Sequence, residues 1–279
     1  MRKRLYEMYQ IYKRYVILAM FVLLLWSGAP TCMATPSDLP KGVFIVKNEK
    51  SMVKRMVKEL NNHNTRFAFY YPGVDKAMRR YKRASPSYRT FFEQIAKKDG
   101  YAMGTVSGFC ITITGDRTKY VVFQFSYLTT KRQEKKIDKQ VKRIVKYIGK
   151  GSRFIKVKKA HDYLIRHMAY DERYYSPYDA FVKKRGLCMS YALAYQRIMQ
   201  EMDIPCIYIK GDNHAWNMVK LGGYWYNVDV TWDDVGKGSY QYFLKSDADF
   251  PGHKRPISQW YTSLRKAQYS YPVDNLVRN

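Results

Sequence analysis

Gly222 and Gly223 stand side by side between two runs of strand-forming residues, Ala215-Trp216-Asn217-Met218-Val219-Lys220-Leu221 and Tyr224-Trp225-Tyr226-Asn227-Val228-Asp229. A two-residue glycine turn is a preferred hairpin connection, because glycine tolerates the positive φ angles it requires, and its length sets the register of the flanking strands. Leu221 therefore faces Tyr224. Counting outward, Trp216 is set against Asp229 and His214 against Thr231, which puts His214 and Asp229 diagonally across one face of the sheet. Diagonal neighbours lie roughly 7–8 Å apart at the backbone, a gap that an imidazole and a carboxylate close with a hydrogen bond. A loop of odd length would send the two side chains to opposite faces.

A third reactive group comes from a helix start. Arg185-Gly186 punctuates the chain, and Met189, Ala192, Tyr195, Met199 and Met202 follow at helical spacing until Asp203-Ile204-Pro205 ends the pattern. Cys188 falls in the first turn. Unpaired N–H groups and the positive end of the helix dipole favour a thiolate there, and a neighbouring imidazolium favours it further. Cys188, His214 and Asp229 thus offer a thiol, an imidazole and a carboxylate in the order of a cysteine-nucleophile triad. Taken singly, Cys188 reads as a small core residue and His214 as a hydrogen-bonded core histidine; the helix start and the registered hairpin favour the catalytic reading. Trp216, Trp225 and Trp232 read as core or cleft-wall residues rather than a cofactor site. Asp233 and Asp234 lack the further spaced oxygen ligands of a calcium site, so neither metal nor cofactor is expected.

The stretch from about Ile155 to Asp234 resembles the bacterial transglutaminase-like superfamily. Gly186-Leu187-Cys188, Asn213-His214-Ala215-Trp216 and Asp229-Val230-Thr231-Trp232 carry the resemblance, and Ala160-His161-Asp162-Tyr163-Leu164 and Tyr170-Asp171 look like the helix that leads into that core. The resemblance covers under half of the chain. It implies an α+β fold with a papain-like core, in which a helix bearing the cysteine packs on an antiparallel sheet bearing the histidine and the aspartate. Many members carry a glutamine or similar polar residue after the nucleophile, where this chain has Met189-Ser190. The glutamine that papain-like proteases place before the nucleophile is Val182 here. The backbone N–H of Cys188 offers one oxyanion donor, and Tyr178 and Ser190 are candidates for the second.

Residues 1–34 read as a secretory signal peptide or an N-terminal membrane anchor. Arg2, Lys3, Arg4, Lys13 and Arg14 form a basic region, Tyr15 to Trp26 is an unbroken apolar run, and Cys32-Met33-Ala34 is a plausible cleavage site, whereas Thr31 makes a poor lipoprotein box. An extracellular or cell-surface location is expected. Cleavage would leave Cys110, Cys188 and Cys206, an odd number that makes no disulfide framework. Cys110 and Cys206 lie in strand-like runs, where buried free thiols are the simpler state and a Cys110–Cys206 bridge the alternative. The chain has a net charge of +27, and removal of residues 1–34, with five basic side chains and one acidic, leaves +23. Such a surplus attracts polyanions. For an exported protein these are anionic wall polymers or a membrane surface; no motif for specific nucleic-acid binding accompanies the charge.

Beyond a linker at 35–41, two units are expected. Residues 42–150 alternate strand-like runs (Val43-Phe44-Ile45-Val46, Arg66-Phe67-Ala68-Phe69-Tyr70, Val121-Val122-Phe123-Gln124-Phe125) with helical ones, as a small α/β domain. Its clearest helix spans Thr130 to Ile148, with Ile137, Val141, Ile144, Val145 and Ile148 on one stripe, Lys135, Lys139, Lys142, Arg143 and Lys146 opposite, and Gly149 at the C′ position. His63 is the histidine of this unit, which holds no catalytic constellation. Residues 151–279 form the catalytic unit, ending after Phe250 in a proline-containing, irregular tail.

Two functions follow. One is an exported thiol enzyme working on protein or peptide amides through an acyl-enzyme, with hydrolysis and transamidation both open. The other is a non-catalytic surface module of the same fold that binds peptide or anionic wall polymer, against which the complete thiol, imidazole and carboxylate set argues.

Overall fold

The structure, a computed structural model, describes residues 42–85, 87–211, 213–235, 239–254 and 264–272. The expected signal or anchor at 1–34 and the linker at 35–41 lie outside these residues, as do parts of the C-terminal tail.

The first half of the chain runs β1 (Val43–Ile45), α1 (Glu49–Asn61), β2 (Arg66–Tyr70), α2 (Val74–Ala84), α3 (Arg89–Ala96), α4 (Gly100–Gly104), β3 (Val106–Thr114) and β4 (Tyr120–Tyr127). Its strands form a sheet in the order β1-β2-β4-β3, with β1 parallel to β2 and the other pairs antiparallel. Side chains alternate across a strand, so Phe67 and Phe69 of β2 share a face with Val121, Phe123 and Phe125 of β4. That face is covered by Met52, Met56 and Leu60 of α1 and by Phe91 and Ile95 of α3. A capping box starts α1: the Asn48 side chain accepts from the Ser51 N–H, and the Ser51 hydroxyl accepts from the Asn48 N–H.

The second half comprises α5 (Lys131–Ile148), α6 (Arg153–His167), β5 (Ala169–Tyr170), a π-helical turn at Asp179–Lys183, β6 (Arg185–Gly186), α7 (Cys188–Glu201), β7 (Cys206–Lys210), β8 (Ala215–Leu221), β9 (Tyr224–Val228), α8 (Val230–Val235) and β10 (Phe243–Lys245). An antiparallel sheet in the order β10-β9-β8-β7 lies against α7, and β5 pairs with β6 separately. Every residue of α7 from Ser190 to Gln196 is buried, the mark of a central helix covered on all sides. Tyr195, Ile198 and Met199 share a core with Val219, Leu221 and Val228 of the sheet and with Val157 and Leu164 of α6. The Asn217 side chain on β8 donates to the Ala192 carbonyl at 3.0 Å, tying the sheet to the helix. The fold is α+β, with the cysteine-bearing helix packed on an antiparallel sheet as expected.

The helix α5 forms where its pattern places it. Thr130 and Gln133 make a reciprocal cap, and Gly149 closes the helix with φ at 71°. The sequence grouped this helix with residues 42–150, whereas its apolar stripe is buried with the second half of the chain. Ile137, Val141, Ile144 and Ile148 are buried in the core of α6, α7 and the second sheet, so the chain changes core between β4 and α5 rather than after residue 150. An apolar stripe tells that a face is covered but not what covers it. The opposite face, with Lys135, Lys139, Lys142, Arg143 and Lys146, is exposed.

Among the described parts of the tail, the backbone of Trp225 is bonded to Arg265 and Ala267, and the Tyr271 ring stacks on Phe154 with centroids 5.0 Å apart. Cys206 is a free thiol on β7, whereas Cys110 on β3 is disulfide-bonded. The bridge between Cys110 and Cys206 is not made, and Cys110 is not the free thiol its strand position suggested. No described helix is long and apolar enough to cross a membrane.

Ile144 is 2% exposed in the shared core, so Ile144→Ala should destabilise the chain by about 2–5 kcal/mol in urea unfolding. Lys142→Ala, on the solvent face of the same helix, should change stability by less than about 0.5 kcal/mol.

Candidate active site

The hairpin forms in the register its turn dictates. Gly222 and Gly223 have φ of 56° and 88°, and the strands pair from Leu221 with Tyr224 out to Asn217 with Val228. Positive φ at both central residues is the signature of a type I′ turn. The ladder then stops one residue short of Asp229, whose N–H goes to the Tyr242 carbonyl at 3.0 Å. Thr231, expected on a strand opposite His214, is instead in the first turn of α8. His214 and Asp229 still meet, from just outside the strand ends, with Nε2 and Oδ2 2.6 Å apart.

Asp229 does two jobs at once. Its Oδ1 accepts from the N–H groups of Thr231 at 3.0 Å and Trp232 at 3.2 Å, which caps α8. Its Oδ2 meets His214 Nε2 and, at 2.8 Å, His253 Nε2. Burial alone would raise this carboxyl, but the His214 and His253 rings outweigh it and hold Asp229 below the usual carboxylate range.

Cys188 opens α7 behind Leu187, a residue that offers no side-chain cap. Gly186 makes this placement possible, because a Cβ there would lie 2.3 Å from that of Ser190 and push β6 off the first turn of the helix. The Cys188 side chain lies close enough to the His214 ring to favour its charged form. With Nε2 on Asp229, Nδ1 is the ring nitrogen left over. Burial disfavours charge on His214, yet the Asp229 carboxylate and then Cys188 favour it more strongly, so its pKa is raised well above the ordinary histidine value. Trp232 and Trp216 stack beside the ring at 5.1 and 6.1 Å. The His214 side chain is 19% exposed and that of Asp229 only 1%, so the site opens at the thiol and is sealed at the carboxylate.

The sequence profile of the transglutaminase-like superfamily matches residues 129–230. That stretch is a transglutaminase-like domain. It begins at the point where the chain changes core and contains Cys188, His214 and Asp229. Two solved structures are similar at low identity. One is a TGase, 14% identical over 69% of this chain and 60% of that one, with a TM-score of 0.34. The other is a candidate cysteine protease from Cytophaga hutchinsonii, 15% identical over 45% of this chain and 65% of that one, with a TM-score of 0.32. The chain thus spans less than two thirds of either. No curated protein sequence matches it.

Several other polar residues near the site are engaged in the framework. Fully buried His161 on α6 has Nε2 3.0 Å from Asp233 Oδ2 and Nδ1 3.2 Å from Asp162 Oδ1. Burial works against its charge, but the hydrogen bonds to Asp162 and Asp233 prevail and its pKa is raised. Asp234 accepts from the Tyr191 hydroxyl. The Asp233-Asp234 pair therefore braces α6 and α7 against α8. Ser190, a candidate oxyanion donor, gives its hydroxyl proton to the Tyr174 carbonyl at 3.2 Å, and Tyr178 packs at the edge of the main core with the Lys136 ammonium 5.8 Å from its ring centre. Trp216 is core at 1% exposure, and Trp232 is a wall of the site.

His253 is the site residue that sequence reasoning missed. It follows Pro251-Gly252, a turn signal inside what read as irregular tail, and only the packing brings it to Asp229. His214, Asp229 and His253 place donor atoms within 4.8 Å of one another, the grouping of a metal site. As arranged they are a hydrogen-bonded cluster. Both nitrogens crowd one oxygen at 2.6 and 2.8 Å, whereas ligands each about 2.1 Å from a shared ion would stand roughly 3 Å or more apart.

The raised pKa of His161 gives a stability term that is fully present below the unfolded value of about 6.5 and lost as pH rises through the folded value. His161→Gln should therefore destabilise the protein more at about pH 5.5 than at about pH 9, as read by urea unfolding at both.

Proposed function

We propose that the chain is an exported thiol enzyme that acts on protein or peptide amides through an acyl-enzyme. The observation that carries this reading is the 2.6 Å hydrogen bond between the His214 ring and the Asp229 carboxylate, with the Cys188 side chain near enough to the ring to favour its charge. The Cys188 thiolate attacks the amide carbonyl. His214, charged in the resting pair, passes its Nδ1 proton to the leaving amine as the tetrahedral intermediate collapses to a thioester. Asp229 keeps Nε2 occupied, so that Nδ1 is presented to the sulfur, and favours the charged ring. In the second half-reaction the neutral ring takes a proton from the acceptor. Water gives hydrolysis or deamidation, and a lysine amine gives a cross-link.

The other cysteines support the assignment of the nucleophile. Burial pushes the Cys206 thiol far above its ordinary pKa, and Cys110 is buried on β3. Cys188→Ala should therefore reduce turnover to background while Cys206→Ala leaves most of it, measured as release of ammonia or fragments and as incorporation of a tagged primary amine into cell-surface protein. Retained turnover in Cys188→Ala would sink the proposal. Inert thiols throughout would instead favour the non-catalytic module.

Export is supported by the basic and apolar run of residues 1–34, and attraction to an anionic wall polymer or membrane surface by the exposed lysine face of α5 and the net charge. Binding of residues 35–279 to anionic vesicles should fall steeply between about 50 and 200 mM salt. Binding that is unchanged by salt would contradict this partner class.

A further inference from the structure

His253 lies outside the stretch that matches the family profile, in the turn Phe250-Pro251-Gly252-His253, and its side chain is 1% exposed. Its Nε2 is 2.8 Å from Asp229 Oδ2, the atom that also meets His214, and its Nδ1 is 3.1 Å from the Pro251 carbonyl oxygen. Carboxylate and carbonyl oxygens only accept, so the ring satisfies both contacts with a proton on each nitrogen. The surroundings suit a cationic ring. Phe250 stacks on it at 3.7 Å, with Trp232 at 4.2 Å, Trp216 at 4.9 Å and Tyr242 at 5.8 Å between centroids. Aromatic faces attract a cation at separations up to about 6 Å. The charged and titratable groups that face His253 among the described residues are Asp229 and His214, with Cys188 beyond His214 and Tyr242 in the aromatic wall.

We infer that His253 is a positioning residue: it pins Asp229 Oδ2 beside His214 and takes a share of the carboxylate's charge, which limits how firmly Asp229 holds the proton on His214. The inference rests on the reading of Cys188, His214 and Asp229 as a triad. A carboxylate shared by two rings gives each less than one held by a single ring. Without His253 the full charge of Asp229 would fall on His214, and Oδ2 would lose one of its two histidine partners. The ring would then keep its proton to higher pH, and its aim at Cys188 would loosen.

Iodoacetate tests this without a known substrate. The thiolate attacks it and the imidazolium attracts its carboxylate, so its reaction with Cys188 speeds up as the ion pair forms and slows when His214 loses its proton. Rates on the full chain, with the modified cysteine located by mass spectrometry, would be followed against pH for the parent, His253→Gln and His253→Phe. The amide of glutamine keeps a donor without the charge, and phenylalanine keeps the stacking without either. Both variants should move the falling limb to higher pH by about one unit, the size of a neighbouring-charge effect. The phenylalanine variant should also react roughly tenfold more slowly near neutrality, the rate equivalent of a lost hydrogen bond, with most of the rate restored in the glutamine variant. An unmoved limb in folded His253→Gln overturns the inference, whether or not His253→Phe folds. So does equal slowing in both variants with the limb in place, which is the mark of a merely structural role. A parent protein whose Cys188 is not selectively alkylated overturns the triad reading itself, a result distinct from either.

Discussion

The carboxylate of Asp229 joins the framework of the second core to its chemistry. One oxygen accepts the N–H groups that begin α8, and the other holds the rings of His214 and His253. A carboxylate with four donors is fixed in orientation as well as in charge, and a buried one would be costly without them. Helix α8, the entry to β8 and the turn at Phe250–His253 are therefore held to one another through a single side chain. Asp233, one helical turn further along α8, extends the same device to α6 through His161.

Around this point the apolar packing supplies rigidity. The helix α7 is buried along most of its length and carries the thiol at its half-buried end, so its N-terminus is located by the core rather than by a side-chain cap. The sheet that carries His214 and Asp229 packs on the same helix through Val219, Leu221 and Val228. Relative placement of the thiol and the imidazole is thus a property of one core. The α5 stripe is buried in that core too, which makes the long basic helix part of the scaffold of the site.

The polar networks divide by exposure. At His161 both ring nitrogens are used up by Asp162 and Asp233 and no solvent reaches the ring, so the group braces elements and has no atom left for chemistry. At His214 one nitrogen is engaged by a sealed carboxylate, the ring is 19% exposed, and Cys188 lies near it. The same residue type, raised in pKa in both places, serves structure in one and, in the proposed function, a reactive pair in the other.

Local sequence rules were enough for the parts of the site that lie close along the chain. The glycine pair set the hairpin register, the breaker at Arg185-Gly186 and the apolar spacing after Cys188 set the helix start, and Thr130 to Gly149 marked both ends of α5, since turns, caps and periodicity act over a few residues. What local rules could not decide was which surfaces meet. They did not say that the strands end before Asp229, that α5 serves the second core, that Cys110 is disulfide-bonded, or that His253 reaches Asp229 across 24 residues. Each of these depends on contacts between segments distant in sequence, where burial and hydrogen-bond satisfaction are settled by the packed whole, and no periodicity or turn signal carries them.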